Sequence, residues 1–560
     1  MASHSAKFEN NVTSVERARS YRGAGYWTEA TLSDAVGQVA RTNGERTAVV
    51  DHQGSRRHSY QQLNDDALTL ATFLEGQGVG PGSVISIQLP NTYESVVTAV
   101  AAQTLGGIIN PLLTNYRAHE LEHVFATASP AAIFTPGDYR DWHYGPMVAG
   151  VAVKTNVHPI HVVVDDDVHD GDAQWSDILA DSHARHDTWL QSRAKAREVS
   201  EVIFTSGTES TPKAVMHTEE TTNFAVRTAF EDLSIGPDQV VWMPSPVGHS
   251  TGFNYGTRAA LVHGRTLLLQ DRWSASDAIE MIKRFDGSYT LAATTFLQDL
   301  VEECERMSVR LDEMSHFSCG GAPVPPELVQ RAQAIGIDVL RLYGSTEALC
   351  GTWNRPTSPQ EKKMTTDGPA LSHTDIALGN EYGDLVDGAD EGELHLRGPN
   401  TSVGYFNDPE RTAASYLDGG WVRSGDLARL DDEGFLTVVG RKKEIIIRGG
   451  LNIAPREIED LLITFPEIER VAVVGIPSER LGEQSCACVV LRTGQSLDLA
   501  TMTSRLRQAG LATFKLPESM RIMSKLPATA SGKVQKHEIL RQIESELSNA
   551  GRESNERETP

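Results

Sequence analysis

Nine consecutive residues, Thr205-Ser206-Gly207-Thr208-Glu209-Ser210-Thr211-Pro212-Lys213, follow directly on the apolar run Val202-Ile203-Phe204. That order fits a buried strand ending in a polar loop. Five hydroxyls and a lysine can donate hydrogen bonds, and Gly207 lets the backbone come close to a ligand. Such a set suits a polyanion, for example a triphosphate. It is not a Walker loop, because no G-x-x-x-x-G-K-[ST] run occurs and Ala214-Val215-Met216-His217 reads as strand where that motif needs a helix. Two further stretches put small residues at the ends of strand-like runs, where backbone can approach a nucleotide. They are Gly320-Gly321-Ala322-Pro323, after Phe317-Ser318-Cys319, and Tyr343-Gly344-Ser345-Thr346-Glu347, after residues 339–342. Glu347 offers a hard carboxylate of the kind magnesium takes when it bridges phosphates. A different chemistry is spelled by His119-Glu120-Leu121-Glu122-His123, which satisfies H-E-x-x-H, the helical zinc pattern of metalloproteases. The sequence supplies no convincing third ligand, so zinc hydrolysis stands as a remote alternative.

The elements that must position these groups alternate. Strand-like runs occur at 131–134, 161–164, 202–204, 240–243, 267–269 and 291–294, with helix-compatible stretches between them, which argues for α/β layering. Residues 59–74 read as a helix, followed by a Gly-rich turn and a strand at 84–89. These glycines imitate a dinucleotide fingerprint and fail it, since Pro81 takes the third glycine position and the order is helix then strand. The most apolar window, 96–113, is interrupted by Thr98, Gln103, Thr104 and Asn110 and reads as a buried helix, not a membrane span. Past residue 445 the pattern becomes strand, helix, strand, strand, helix, with Pro455 at a helix start, Ile458, Leu461, Leu462 and Phe465 at helical spacing, and strands at 471–476 and 485–491.

Composition narrows the function. The 560 residues are enough for several domains, each with its own core. With 51 Lys and Arg against 75 Asp and Glu, the net charge of −24 argues against a nucleic-acid binder, which needs a basic face. Residues 1–26 are polar and contain no apolar signal core, so we expect a cytoplasmic protein without integral membrane association. Five scattered cysteines suit reduced thiols better than a disulfide framework.

The stretch from Thr205 to Lys213 resembles the phosphate loop of the adenylate-forming superfamily: acyl-CoA synthetases, aryl-CoA ligases, luciferases and the adenylation domains of peptide synthetases. Where the commonest family form has Thr-Gly, this chain has Glu209-Ser210. A carboxylate there should repel a triphosphate unless it faces away or shares magnesium. The other motifs follow in family order from about residue 27 to about residue 547. By this resemblance, Gly320, Gly321, Ala322 and Pro323 line the adenine site with Tyr343, Gly344 and Ser345, and the Tyr343 ring packs against the purine. Thr346 contacts the phosphate region and Glu347 holds magnesium. Asp426, closing Gly420-Trp421-Val422-Arg423-Ser424-Gly425-Asp426, accepts hydrogen bonds from the ribose hydroxyls, with Arg441 as the second ribose contact. Lys443 is the pivot between a large N-terminal domain and a small mobile one, and Gly449, Gly450 and Leu451 lie along the pantetheine path during thioester formation. Lys533, in Leu526-Pro527-Ala528-Thr529-Ala530-Ser531-Gly532-Lys533, is the catalytic lysine that bridges the substrate carboxylate and the α-phosphate.

In the same comparison, residues 242–256 form a wall of the acyl pocket, with His249 and Phe253 beside the acyl group and Gly320 and Gly344 completing it. Relatives that activate amino acids usually carry an acidic residue in this segment to bind the substrate ammonium. Here it contains no Asp or Glu, which favours an acid without an α-amino group. The resemblance thus implies an α/β protein with an N-terminal extension (1–26), a large layered domain of sheets and helices (27–441), a small α+β domain (442–547) and a disordered tail (548–560). It implies an ATP-dependent acyl-CoA ligase with ATP, Mg2+ and CoA, acting on a medium-chain, alicyclic or aryl acid through acyl-AMP. Lys515, Arg521, Lys525, Lys533 and Lys536 form a local basic excess that could help hold CoA phosphates. The segment after Lys533 is too short for a carrier domain, which favours free CoA as acceptor. A non-CoA acceptor is the alternative, and a homodimer is compatible with this reading.

Overall fold

The computed structural model describes residues 12–51, 54–164, 172–180, 193, 195–205, 212–322, 324–380, 382, 384–386, 388–448, 451–478, 480–529, 533–543 and 545–546. Among these, two large sheets face each other across the helix Tyr93–Thr104, all of whose residues are buried. Its sequence explains the placement: apart from Glu94 at its start it carries no charge, so every face can pack against apolar neighbours.

The first sheet has eight strands in the order Leu349–Trp353, Val339–Ser345, His316–Gly320, Gly287–Ala292, Val240–Met243, Leu267–Leu269, Thr47–Asp51 and Arg56–Ser59. Its six inner strands are parallel and each edge carries an antiparallel partner. The second sheet has seven, in the order Lys213–Thr218, Val199–Thr205, Ile108–Pro111, Val84–Ile87, Ala132–Thr135, Ile160–Val163 and Ala173–Gln174. Parallel strands covered on both faces read as unbroken apolar runs, which is the pattern of Leu267–Leu269 and Val240–Met243. A third, antiparallel sheet holds Asp375–Gly379, Glu391–Arg397, Tyr416–Leu417, Trp421–Leu430 and Leu436–Arg441. The small C-terminal domain follows, with a five-stranded sheet of Ile446–Arg448, Leu451–Ile453, Ile468–Ser478, Gly482–Leu491 and Ser519–Ile522 and a separate core that includes Ile458, Leu462 and Leu506.

One expectation needs correction. The window 96–113 is not one helix: the helix ends at Thr104, Gly106 turns the chain at φ +72°, and Ile108–Pro111 is a strand between Val84–Ile87 and Val199–Thr205. Part of the expected extension is docked on the large domain. Helix Val15–Gly23 holds Glu220 through Arg22 (2.6 Å), and the Trp27 indole donates to the Pro399 carbonyl (2.9 Å). The tail 548–560 lies outside the described residues. All five cysteines are buried and unbridged, and no described helix is long and apolar enough to cross a membrane.

Candidate functional site

The sheets converge on a cavity of about 410 Å³. It is lined at the ends of the parallel strands by Ala292, Gly320 and Gly344, at the phosphate-loop strand by Thr205 and Lys213, at the third sheet by Asp426, at the domain junction by Arg441 to Lys443, and from the small domain by Lys533. Ligands bind at the carboxyl ends of parallel strands because the chain there turns away and leaves a crevice. Ser206, Gly207, Thr208, Glu209, Ser210, Thr211, Pro323, Gly449 and Gly450 lie outside the described residues. Gly321, Ala322, Ser345, Thr346, Glu347 and His249 also line the cavity.

Two glycines are set by the protein's own packing. A methyl group on Gly320 would lie 2.5 Å from the Leu342 carbonyl oxygen, and one on Gly344 would lie 2.4 Å from that of Leu349. Both contacts are with backbone and cannot yield cheaply.

Tyr343 does not line the cavity. Its ring is buried with Leu378, Leu394 and Leu396, and its hydroxyl donates to Asp426 Oδ2 at 2.7 Å. Its hydroxyl thereby braces the Asp426 carboxylate. Arg441 Nε lies 3.1 Å from Asp426 Oδ1. A carboxylate has about four lone-pair sites, so Asp426 keeps acceptor capacity for a diol.

Glu347 is held from several sides. Tyr405 donates to its Oε1 at 2.8 Å, Lys213 Nζ lies 3.9 Å from the same oxygen, and the Ser402 N–H donates to its carbonyl at 2.7 Å. His217 is fully buried, which lowers its pKa to about 4 and keeps the ring neutral. With Nε2 2.8 Å from the Thr346 carbonyl, that nitrogen must carry the proton and donate. Sequence reasoning missed both Tyr405 and His217. The segment 403–406 pairs with the strand Lys213–Thr218, Met216 N donating to Gly404 O and Val403 N to Met216 O at 2.9 Å, and this places Tyr405 next to Lys213.

Lys533 opens onto the cleft while protein surrounds it on the other sides. That enclosure, followed by the Arg441 charge, pushes its ammonium down to about 8, against the pull of Asp426, Glu444 and Glu347. His249 stands at the start of the short helix Ser250–Gly252, with Nδ1 accepting from Thr251 N at 3.2 Å. Burial, then the nearby Lys533 charge, lowers its pKa to about 4, so it too is neutral. Phe253 is not on the cavity lining; it is buried in the core with the Arg258 guanidinium over its ring. The apolar part of the wall is made instead by residues such as Leu113, Pro246, Tyr255, Leu291, Leu349 and Cys350.

The H-E-x-x-H spacing builds no zinc site. It lies on helix Ala118–Ala128, where Glu120 caps the Arg117 N–H at 2.8 Å and His123 Nε2 lies 3.1 Å from the Pro212 carbonyl oxygen, which it can only meet as donor. Among the described residues no group of three or more His, Cys, Asp or Glu is placed to hold a metal. Three members of the small domain's basic excess are ion-paired: Lys515 with Glu457, Arg521 with Glu546, and Lys536 with Glu444 and Glu459. Leu451 is exposed at the edge of the small domain's sheet and does not line the cavity.

The model for AMP-binding enzymes matches residues 36–406, and that for the AMP-binding enzyme C-terminal domain matches 457–533. The chain belongs to the AMP-binding enzyme family. Among its relatives, the medium-chain fatty-acid–CoA ligase of Escherichia coli K12 is 33% identical over 534 residues, covering 94% of this chain and 93% of that one. A CoA ligase of Rhodococcus jostii RHA1, named for a 7a-methyl-1,5-dioxo-octahydroindenyl propanoyl group, is 30% identical over 91% of this chain and 98% of its own. The crystal structure of ATP-bound MatB from Rhodopseudomonas palustris superposes with a TM-score of 0.81 at 25% identity, covering 92% of this chain and 99% of that one. This AMP-binding enzyme is an ATP-dependent ligase of the acyl-CoA synthetase type, with a large N-terminal and a smaller C-terminal domain.

Proposed function

We propose that the protein activates an uncharged-chain monocarboxylic acid, medium-chain or alicyclic, as its acyl-adenylate and transfers the acyl group to CoA. One observation carries this reading: Lys213, Glu347, Asp426, Arg441 and Lys533 gather their charges around one cavity whose wall at Leu113, Pro246, Tyr255, Leu291 and Leu349 is apolar, with a neutral histidine also on the lining. In the first half-reaction a carboxylate oxygen attacks the α-phosphorus of ATP. The new C–O–P linkage forms as the bond to the β-phosphate oxygen breaks, and pyrophosphate leaves. Lys533 acts as an ammonium placed where negative charge grows between the carboxylate and the α-phosphate. Lys213 and the phosphate loop hold the leaving phosphates, and Asp426 with Arg441 orients the ribose.

Glu347 fits a magnesium ligand, since it is a hard carboxylate facing the cavity beside Lys213, and phosphates and water supply the other donors magnesium prefers. Bound magnesium would neutralise charge on the phosphates. In the second half-reaction the small domain turns about Lys443, Lys533 withdraws, and the CoA sulfur attacks the acyl carbon and expels AMP.

The test separates the halves. Lys533→Ala should reduce acid-dependent ATP–pyrophosphate exchange by about 10²–10³-fold, the usual cost of losing one donor to developing charge, and leave thioester formation from supplied acyl-AMP intact. Unchanged exchange, or acid-dependent exchange in the unmodified protein with no acyl-CoA formed when CoA is added, would overturn the reading.

A further inference from the structure

The pivot residue lies between neighbours tied to different domains. Lys442 Nζ bonds Glu393 Oε2 at 2.9 Å, and Glu393 is on the large domain's strand Glu391–Arg397. On the other side, Glu444 Oε2 lies 2.9 Å from Lys536 Nζ. The same ammonium is 2.9 Å from Glu459 Oε1, on helix Pro455–Leu462. One cation thus joins the far side of the pivot to a helix of the small domain.

Lys536 is also tied to the catalytic loop. The limbs 527–529 and 533–535 are paired: Thr529 N donates to Lys533 O at 2.7 Å, Lys533 N donates to Thr529 Oγ1 at 3.1 Å, and Gln535 N donates to Pro527 O at 2.8 Å. Lys536 follows immediately on the second limb. It stands three residues after Lys533 on that same paired limb, so a displacement of Lys536 is passed along it to Lys533. The clamp is held independently at its far end, because Glu459 Oε1 also accepts the Val473 N–H at 2.7 Å. The three side chains are only 12–23% exposed, so the contact is shielded from the screening that weakens surface ion pairs. Burial opposes the Lys536 charge, but Glu459 and Glu444 outweigh it and raise its pKa. Glu444 is held low against burial by Lys536 first, so both partners stay ionised.

We propose that Lys536 is a positioning residue for adenylation, which clamps the limb carrying Lys533 to Glu444 at the pivot and to the helix carrying Glu459. It touches no reacting atom. Its effect falls on the half-reaction that uses Lys533 and spares the half that does not, so the proposal rests on the two-step reading above.

The experiment measures both half-reactions in the full-length protein. Lys536→Met should lower kcat for ATP–pyrophosphate exchange about 10–100-fold, the scale of an ångström-sized misplacement of a catalytic group. KM for ATP and thioester formation from supplied acyl-AMP should change by less than about three-fold, and Lys536→Arg should recover most of the loss by restoring the charge. Glu444→Gln should reproduce the Met phenotype and serves if Lys536→Met fails to fold. Unchanged exchange, equal loss in both halves, or no recovery with arginine would overturn the positioning role. If the unmodified protein shows no exchange at all, it is the two-step reading that falls, and this proposal falls with it.

Discussion

Arg258, on the π-helical turn Phe253–Arg258, is fully buried, and so are the two carboxylates it meets. Its Nη1 donates to Glu219 Oε1 at 2.7 Å and to Asn223 Oδ1 at 3.1 Å, Nε donates to Asn254 Oδ1 at 3.0 Å, and Nη2 lies 3.4 Å from Glu201 Oε2. Glu201 is on the strand Val199–Thr205, whose last residue lines the cavity, so one guanidinium ties that strand to the helix Glu219–Asp232 and to the turn Phe253–Arg258. Arg258→Met keeps the bulk and leaves two carboxylates buried without a cation, at a cost of about 3–5 kcal/mol. With an unfolding entropy near 2.1 cal/mol/K per residue over roughly 400 residues, the midpoint should drop by about 4–6 °C. The pH dependence has a definite sign. Burial lifts the Glu201 pKa from 4.5 to about 7, with Arg258 opposing, so this group lowers stability progressively as pH rises from about 4.5 to about 7. Removing the cation raises that pKa further and extends the loss to higher pH, making the deficit larger at pH 8 than at pH 6. Calorimetric melts of both proteins at the two pH values provide the assay. A drop below about 1 °C, a deficit larger at pH 6, or no recovery on adding Glu201→Gln and Glu219→Gln would refute the account.

Two further outcomes follow from the site. Lys533 must be charged to act and its pKa is pushed down to about 8, so kcat/KM for ATP in pyrophosphate exchange should fall above about pH 8, roughly ten-fold per pH unit, while Lys533→Arg should lose this limb at a lower rate; a flat profile to pH 9.5 would contradict it. Gly344→Ala places a methyl group 2.4 Å from the Leu349 carbonyl oxygen and 3.3 Å from Cys350 Cα, a backbone overlap worth about 1–3 kcal/mol. Its melting temperature should fall and KM for the acid should rise more than KM for ATP, as steady-state titration of each substrate would show.

What could be read in the sequence depended on how local the determining contacts are. Val240–Met243 and Leu267–Leu269 match the sequence reading to the residue, since a strand buried on both faces must be apolar throughout. The window 96–113 misled because helix, turn and strand there are all buried, and uniform hydrophobicity erases the change of period that would mark the turn at Gly106. H-E-x-x-H was legible as a helix and illegible as chemistry: Glu120 serves a cap three residues away, whereas His123 meets Pro212 from another part of the chain. The braces on the site lie beyond local reading altogether. Tyr343 finds Asp426 across 83 residues, Tyr405 finds Glu347 across 58, and His217 finds Thr346 across 129. Nothing in the spacing of these side chains announces their partners, because the pairing is made by strand order.

The same geometry bears on substrate choice. Among the described residues, the charged ones lining the cavity are Lys213, Glu347, Glu393, Asp426, Arg441, Lys442, Lys443 and Lys533, and each comes from the strand Lys213–Thr218, the Glu347 motif, the third sheet, the domain junction or the small domain. The segment 242–256 and the strand ends facing it contribute apolar groups, hydroxyls and neutral His249. Among the described residues that segment supplies no charge of its own, so a second charge on an amino acid or a dicarboxylic acid would be buried there without a partner from this wall, and hydrogen bonds alone do not offset that desolvation. A chain with an extra methylene meets no such penalty, because hydrophobic pockets discriminate such homologues by only about 1–3 kcal/mol. Selection against charged acyl groups should therefore be steep and selection among neutral chain lengths shallow, with the steepness set by what the apolar wall cannot neutralise rather than by what it excludes by size.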